Sequence, residues 1–161
     1  MTRPLCVLVL VIGLCCSSLG ADPGNDPKSN NKDKIVGKWK ITALPEKAGG
    51  KKDLEELTKF GLYVYVEFKA DGGLILGIGA DKKETLDLIK KGAPDQKLTW
   101  DAKYKLLVGD AVEIYDLPKD LQNGNGGLFG KKDRAKMTVK ISDTEMKMID
   151  DDGTATLKKL K

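Results

Sequence analysis

The sequence contains no histidine, and its three cysteines all lie within the first 16 residues. Histidine is the commonest general base and the commonest metal ligand, so both roles lose their usual residue. Cys6, Cys15 and Cys16 fall in a segment that we expect to be removed on export. The remaining chain then has no disulfide, no thiol nucleophile and no thiolate metal site. We therefore predict a protein that is not an enzyme and that uses neither a metal nor a cofactor.

Long apolar runs are also scarce, and one of them opens the chain. Residues 1–20 have the layout of a secretory signal peptide, with Arg3 near the start, an apolar run and then small residues. The run is shorter than the roughly 20 residues that span a bilayer core, so we expect cleavage and no stable membrane insertion of the mature chain. A lipid anchor at Cys15 or Cys16 is the alternative, but Leu14 stands where lipoprotein peptidases generally want a small residue. The predicted location is secreted or periplasmic.

Apolar side chains are almost absent from residues 21–33, which are mostly Asp, Pro, Gly, Asn, Lys and Ser. Such a stretch cannot bury enough apolar surface to offset its ordering entropy, so we predict a disordered linker. Residues 34–161 then form one domain, large enough for a self-sufficient core. The chain has 28 basic and 24 acidic side chains, interspersed along its length. That mixture is typical of a solvated surface, so no nucleic-acid partner is predicted.

Period-two alternation of apolar and polar residues dominates residues 34–161. On the first strand, Ile35, Gly37, Trp39 and Ile41 share one face. Seven further alternating segments follow, several joined by short turns such as Asp71-Gly72. Eight strands with one apolar face predict an all-β fold, namely an eight-stranded antiparallel up-and-down barrel. A two-sheet sandwich is the alternative, and the succession of hairpins favours the barrel.

Three segments interrupt the strand pattern. Residues 51–60 have two leucines three apart with charges between them, which predicts a short amphipathic helix. Residues 85–91 fit either another helical turn or the end of a long strand. Residues 116–133 form a long loop with four glycines. We therefore expect one or two short helices beside the barrel.

The Gly37-x-Trp39 motif on the first strand, followed by an eight-strand meander, resembles the lipocalin-like barrels of the calycin group. The resemblance implies that Trp39 packs across the closed end of the barrel against a basic side chain on or near the last strand. Lys159 stands there, where the family usually has Arg. Gly37, Trp39 and Lys159 are thus the predicted barrel closure. The chain also resembles an uncharacterised family of small secreted planctomycete-type proteins through K-I-V-G-K-W (34–39), Y-K-x-x-x-G-D (104–110) and D-x-D-G (150–153).

If one end of the barrel is closed, a ligand would lie among the other inward-facing aromatic and methionine side chains. The candidates for such a cavity wall are Phe68, Trp100, Tyr104, Met146 and Met148. The alternative is that they fill the interior as core. The predicted function is a domain that binds an apolar small molecule. The alternative is a structural or protein-interaction module of the cell envelope, which would use exposed Tyr63 and Tyr65 or the glycine-rich loop.

Two other motifs do not meet the spacing that their chemistry needs. An EF-hand loop around Asp150–Gly153 would need a carboxylate at Met148 and a Glu at Lys159. A phosphate loop at residues 124–131 would need Gly at Asn125. The first is therefore predicted to be a hairpin turn and the second a flexible loop or lid.

Overall fold

The computed structural model describes residues 31–47, 50–122 and 133–161; the predicted signal peptide, most of the predicted linker and residues 123–132 of the predicted glycine-rich loop lie outside these ranges. Eight antiparallel strands close into a barrel in which each strand pairs with its sequence neighbours and the first pairs with the last. The strands are β1 (Gly37–Ala43), β2 (Leu62–Phe68), β3 (Gly73–Ala80), β4 (Thr99–Leu107), β5 (Ala111–Tyr115), β6 (Ala135–Ile141), β7 (Glu145–Asp150) and β8 (Gly153–Lys159). The predicted eight-stranded antiparallel barrel is confirmed.

Four helices accompany the strands in the described part of the chain: α1 (Lys32–Ile35), α2 (Lys51–Lys59), α3 (Lys83–Gly92) and α4 (Lys119–Gln122). The second lies where an amphipathic helix was predicted. The third resolves the open alternative for residues 85–91 in favour of a helix. The first and last are single turns that the sequence pattern did not indicate. None of the helices described is long and apolar enough to cross a membrane.

The meander places successive connections at alternate ends of the barrel. One end, here called the hairpin end, holds α1, the turns at 69–72, 108–110 and 142–144, and the last residues of the chain. The other, here called the helix end, holds α2, α3, α4 and the turn at 151–152. Short turns therefore connect the strands at the hairpin end, whereas the longer connections, with three of the four described helices, lie at the helix end.

The first strand begins two residues later than the alternation predicted. Ile35 ends α1, and Gly37, with a φ of 130°, carries the chain from that helical turn into β1. A positive φ of this kind is open mainly to glycine. Part of the predicted linker belongs to the same segment, because Asn31 is buried and its side-chain amide donates to Asp110 Oδ1 at 2.9 Å and to the Val139 carbonyl at 3.0 Å. The segment before β1 is therefore fastened to the hairpin end.

Inward-facing side chains fill the barrel tightly through its hairpin-end half and its middle. Those with no more than 1% of their surface exposed include Trp39, Val66, Phe68, Val112, Val139, Met146 and Leu157. If a water-sized void lay beside these side chains, they would retain accessible surface. Their near-zero exposure therefore shows that no such void adjoins them. The core is a packed apolar interior.

Candidate functional site

Trp39 and Lys159 lie together at the hairpin end. Trp39 is fully buried, and its indole Nε1 donates to the Ile35 carbonyl at 2.8 Å. Lys159 is its cross-strand partner on β8, with Nζ 5.1 Å from the centroid of the indole ring. The lysine stem passes beside Gly37, where a Cβ would stand 3.4 Å from Lys159 Cε, an ordinary contact, so it is the positive φ of Gly37 that calls for glycine here. The arrangement is a cation–π contact over the side chain that fills this end, an interaction of about 0.5–1 kcal/mol where exposed.

Phe68 and Tyr104 contact each other in the hairpin-end half of the barrel. Their ring centroids are 4.9 Å apart at 89°, an edge-to-face arrangement. Tyr104 Oη donates to the Lys69 carbonyl at 2.8 Å, which ties the ring to the turn between β2 and β3. Burial raises the pKa of Tyr104, with a further contribution from the nearby Asp71 charge.

The five predicted cavity residues are not gathered at one mouth of the barrel. Phe68, Met146 and Met148 are at most 2% exposed, so they pack as core and a ligand that touched them would have to displace them. Tyr104 is buried as well, and only Trp100 among the five is partly exposed. Alternation assigns a residue to a face, whereas its height in the barrel depends on strand direction: Phe68 ends β2 at the hairpin end, and Trp100 stands near the start of β4 at the helix end.

Trp100 carries a buried polar atom whose hydrogen-bonding capacity is unused. Its indole Nε1 is shielded from solvent and has no hydrogen-bond partner among the residues that the structure describes. The ring shares the inner wall with Ile78 and Val64, which are half-buried and pair with each other across β2 and β3. Leaving a buried donor unpaired costs about 1–3 kcal/mol. The helix end therefore offers apolar side chains and one unsatisfied N–H donor.

Tyr63 and Tyr65 stand on the outer wall of the barrel but do not form the exposed patch that the protein-interaction alternative needs. Tyr65 is 8% exposed, and the Lys38 ammonium lies 3.6 Å from its ring centroid. Tyr63 is half-buried, with Lys40 Nζ 4.7 Å from its centroid. Both rings pack directly against glycines on β3, which have no side chain to keep the rings at a distance. Lysines therefore cover the surface that the tyrosines would have offered.

A groove of about 640 Å³ runs along β5, β6 and the end of β7 on the barrel wall. Its polar lining includes Glu113, Arg134, Lys136, Thr138, Asp150 and Asp152. Glu113 is already paired, 2.6 Å from Lys105 Nζ and 3.7 Å from Arg134 Nη1. The hydrogen bond from Lys105 holds the pKa of Glu113 below its usual value, with Arg134 and Lys136 adding to the effect. The groove thus carries charges of both signs, four acidic and two basic side chains, and Glu113 is the acidic one that is ion-paired among the described residues.

The acidic run after β7 forms a turn. Asp150 Oδ1 accepts hydrogen bonds from the backbone N–H groups of Asp152 at 3.0 Å and Gly153 at 3.1 Å. A second groove of about 400 Å³ lies beside this turn, against residues 44–47. Throughout the ranges that the structure describes, no group of three or more His, Cys, Asp or Glu side chains is arranged to hold a metal ion.

No family model and no curated protein matches the chain. Among solved structures, the chain is similar to an uncharacterized protein from Bacteroides eggerthii, with 16% sequence identity and a TM-score of 0.49. That similarity covers 78% of this chain and 99% of the other.

Proposed function

We propose that the chain is a non-catalytic binding module, a secreted or periplasmic lipocalin-like barrel that takes an apolar small molecule at its helix end. The observation that carries this proposal is the buried Nε1 of Trp100, for which the described part of the chain supplies no hydrogen-bond partner. A ligand acceptor placed against it would recover the free energy that an unpaired donor forfeits.

The chemistry of the helix end indicates the kind of ligand. Val64, Ile78 and Trp100 supply half-buried apolar surface, and Leu54 of α2 packs against the same core. Such walls favour an apolar body, while a single precisely placed donor fixes its orientation. We therefore expect a ligand with one carbonyl-type acceptor on an otherwise apolar frame. The hairpin end does not offer this combination, because its inward side chains are packed solid.

A titration with two matched probes tests the proposal. A medium-chain methyl ketone carries the acceptor, and the alkane of equal length lacks it; binding of each is measured by calorimetry and by tryptophan fluorescence. We expect the ketone to bind more tightly than the alkane. Trp100→Phe keeps an aromatic ring without the N–H, and should weaken the ketone about tenfold while leaving the alkane nearly unchanged. Tyr104→Phe is the matched control, since it removes a polar group from the hairpin-end half.

The outcomes separate two ideas. Absence of saturable binding for both probes would reject the small-molecule function. Equal ketone affinity in the parent protein and in Trp100→Phe would reject only the role of the indole N–H.

Export is tested on protein recovered from its own host. Intact mass spectrometry should find a mature chain that starts near Ala21, and native mass spectrometry of the same sample should show any small molecule that co-purifies. A lipid-modified Cys15 or Cys16 would replace release by anchoring, and an uncleaved chain would count against export.

A further inference from the structure

The outer faces of four neighbouring strands, β6, β7, β8 and β1, are strongly basic. Side chains on these strands alternate between the packed interior and the solvent. The outward charged side chains are Lys38, Lys40, Lys136, Lys140, Glu145, Lys147 and Lys158. Six of these seven are lysines. Lysines that are dispersed along the sequence thus gather on one side of the closed barrel.

Four of these residues, here called the lysine stripe, follow one another across the four strands: Lys140, Lys147, Lys158 and Lys40. Lys140 lies directly opposite Lys147, and Lys158 lies directly opposite Lys40. Lys147 pairs with Thr156, so Lys158 is its diagonal neighbour on β8. Like charges directly opposite each other destabilise a sheet, and here two such pairs stand side by side.

The stripe is only partly neutralised. Glu145 lies 3.8 Å from Lys147, and Asp81 lies 3.4 Å from Lys40. Glu145 also lies directly opposite Lys158 across β7 and β8. Even so, no ion pair among the described residues engages Lys140 or Lys158, and both side chains are exposed.

In the opposite half of the barrel wall, the outward lysines of β4 form ion pairs. There Lys103 pairs with Asp116 at 3.0 Å, and Lys105 pairs with Glu113 at 2.6 Å. The folded chain satisfies those lysines internally and leaves the centre of the stripe available to an external anion.

We infer that the lysine stripe binds a linear anionic polysaccharide, one that carries carboxylate or sulfate groups along a hydroxyl-rich chain. Crossing four strands spaced about 4.8 Å apart spreads the positive charge over roughly 15 Å, which suits a polymer better than a single ion. Exposed Thr138 and Thr154 stand beside the stripe and can hydrogen-bond to sugar hydroxyls. This site lies on the outer wall, so the inference does not depend on the proposed small-molecule site at the helix end.

Other polyanions fit this surface less well. Single-stranded nucleic acid is usually held by aromatic side chains that stack on its bases, and the outward positions of these four strands contain none. They contain no Arg either, the residue that recognises phosphate with a planar, bidentate fork. An anionic bilayer is normally engaged by basic residues together with apolar side chains that insert, whereas this face offers mainly lysines and threonines, and its large apolar side chain, Ile149, is only partly exposed.

Binding of heparin and polygalacturonate to the full mature chain, measured by calorimetry at fixed salt, tests the inference. Both are linear anionic polysaccharides; neutral dextran, a DNA duplex and phosphatidylglycerol vesicles are the comparison probes. The variant Lys140→Glu/Lys158→Glu should weaken polysaccharide binding at least about tenfold, because it reverses the two unpaired charges. Each new Glu would face a lysine across the sheet, Lys147 for position 140 and Lys40 for position 158, although position 158 also lies opposite Glu145. Circular dichroism and urea denaturation of the variant therefore accompany the binding measurement.

The matched control is Lys52→Glu/Lys90→Glu, which makes the same change of net charge on α2 and α3. It should stay within about twofold of the parent protein, since distant charges are screened. An equal loss of polysaccharide affinity in both double variants would show that net charge alone determines binding, and would overturn the inference. Tighter binding of DNA or vesicles than of both polysaccharides would overturn it as well, as would absence of polysaccharide binding by the parent protein.

Discussion

The ring of Tyr65 covers Gly77, its cross-strand partner on β3, so closely that a Cβ at position 77 would stand 2.5 Å from Tyr65 Cζ. On the other side of the ring the Lys38 ammonium lies 3.6 Å from the centroid. The same arrangement recurs one step along the strands, where the Tyr63 ring covers Gly79. Glycine, tyrosine and lysine thus form a three-layer stack on the outer wall, and the absent side chain at Gly77 is what lets the ring settle.

Gly77→Ala should destabilise the domain through its contact with Tyr65. The new methyl group would overlap the ring, which must tilt away and loosen its contact with Lys38. Overpacking of this kind costs about 1–3 kcal/mol in free energy of unfolding. Urea denaturation followed by intrinsic fluorescence measures the change.

The background Tyr65→Ala is the control for that prediction. The nearest atoms to a Cβ at Gly77 all belong to Tyr65, so removing the ring should abolish the cost of Gly77→Ala. The sign should even reverse, because Ala is favoured over Gly in a strand by about 0.5–1 kcal/mol. Gly92→Ala, at the end of α3 where nothing stands within 4 Å of the new Cβ, should carry no cost and can add a few tenths of a kcal/mol of stability. A cost for Gly77→Ala that persists without Tyr65 would place the cause in the backbone instead.

Lys159→Met should remove the cation over Trp39 while keeping an alkyl stem beside Gly37. We expect a loss of about 0.5–1 kcal/mol, whereas Lys159→Arg should retain stability because a guanidinium stacks well on an indole. Trp39→Ala should cost about 3–5 kcal/mol, since the side chain is fully buried. Chemical denaturation measures all three variants. If Lys159→Met costs as much with Leu at position 39, which has no aromatic ring, the indole is not its partner.

The fold could be predicted from the sequence because alternation, turns and strand count all pointed to one architecture. What the pattern could not supply was height along the barrel axis. Phe68 and Trp100 both face inward, yet they lie near opposite ends because their strands run in defined directions. The same alternation placed Ile35 in β1, although Ile35 ends the helical turn α1 and the strand begins only at Gly37.

The lysine stripe could not be predicted from the sequence, for a related reason. Lys40 and Lys158 are 118 positions apart in the sequence and become neighbours only when β1 closes against β8. Composition showed mixed charge, and only the closure of the barrel brings these lysines together on one side. The unpaired Nε1 of Trp100 likewise had no sequence signal, because an unsatisfied donor is a property of its surroundings.

Asn31→Ala should destabilise the domain even though the residue lies within the predicted linker. Its side-chain amide joins the segment before β1 to Asp110 and to the Val139 carbonyl, and the side chain is buried. Removing a buried donor between such partners costs about 1–3 kcal/mol. Thermal and urea unfolding of the variant measure the loss.

Two further variants place the boundary of the folded domain. Asp33→Ala, at an exposed position of α1, should leave stability unchanged. A chain that begins at residue 36 should lose more stability than Asn31→Ala, because it also lacks the fully buried Ile35. Equal stability of that shortened chain and the parent protein would contradict a structural role for the whole segment.

Stability should decline in alkaline solution in part because of Tyr104. Burial, reinforced by Asp71, raises its pKa in the folded state above the ordinary value of 10.0. The contribution is therefore fully present below pH 10, and it is lost as the pH rises towards the folded-state pKa, because the unfolded chain then releases a proton that the folded chain retains. Tyr104→Phe cannot ionise, so its free energy of unfolding should fall less steeply above pH 10 than that of the parent protein.

At neutral pH the same variant should be less stable by about 1 kcal/mol, because Tyr104 Oη no longer donates to the Lys69 carbonyl. Urea denaturation at a series of pH values measures both effects, and parallel curves for the two proteins above pH 10 would remove Tyr104 from the explanation.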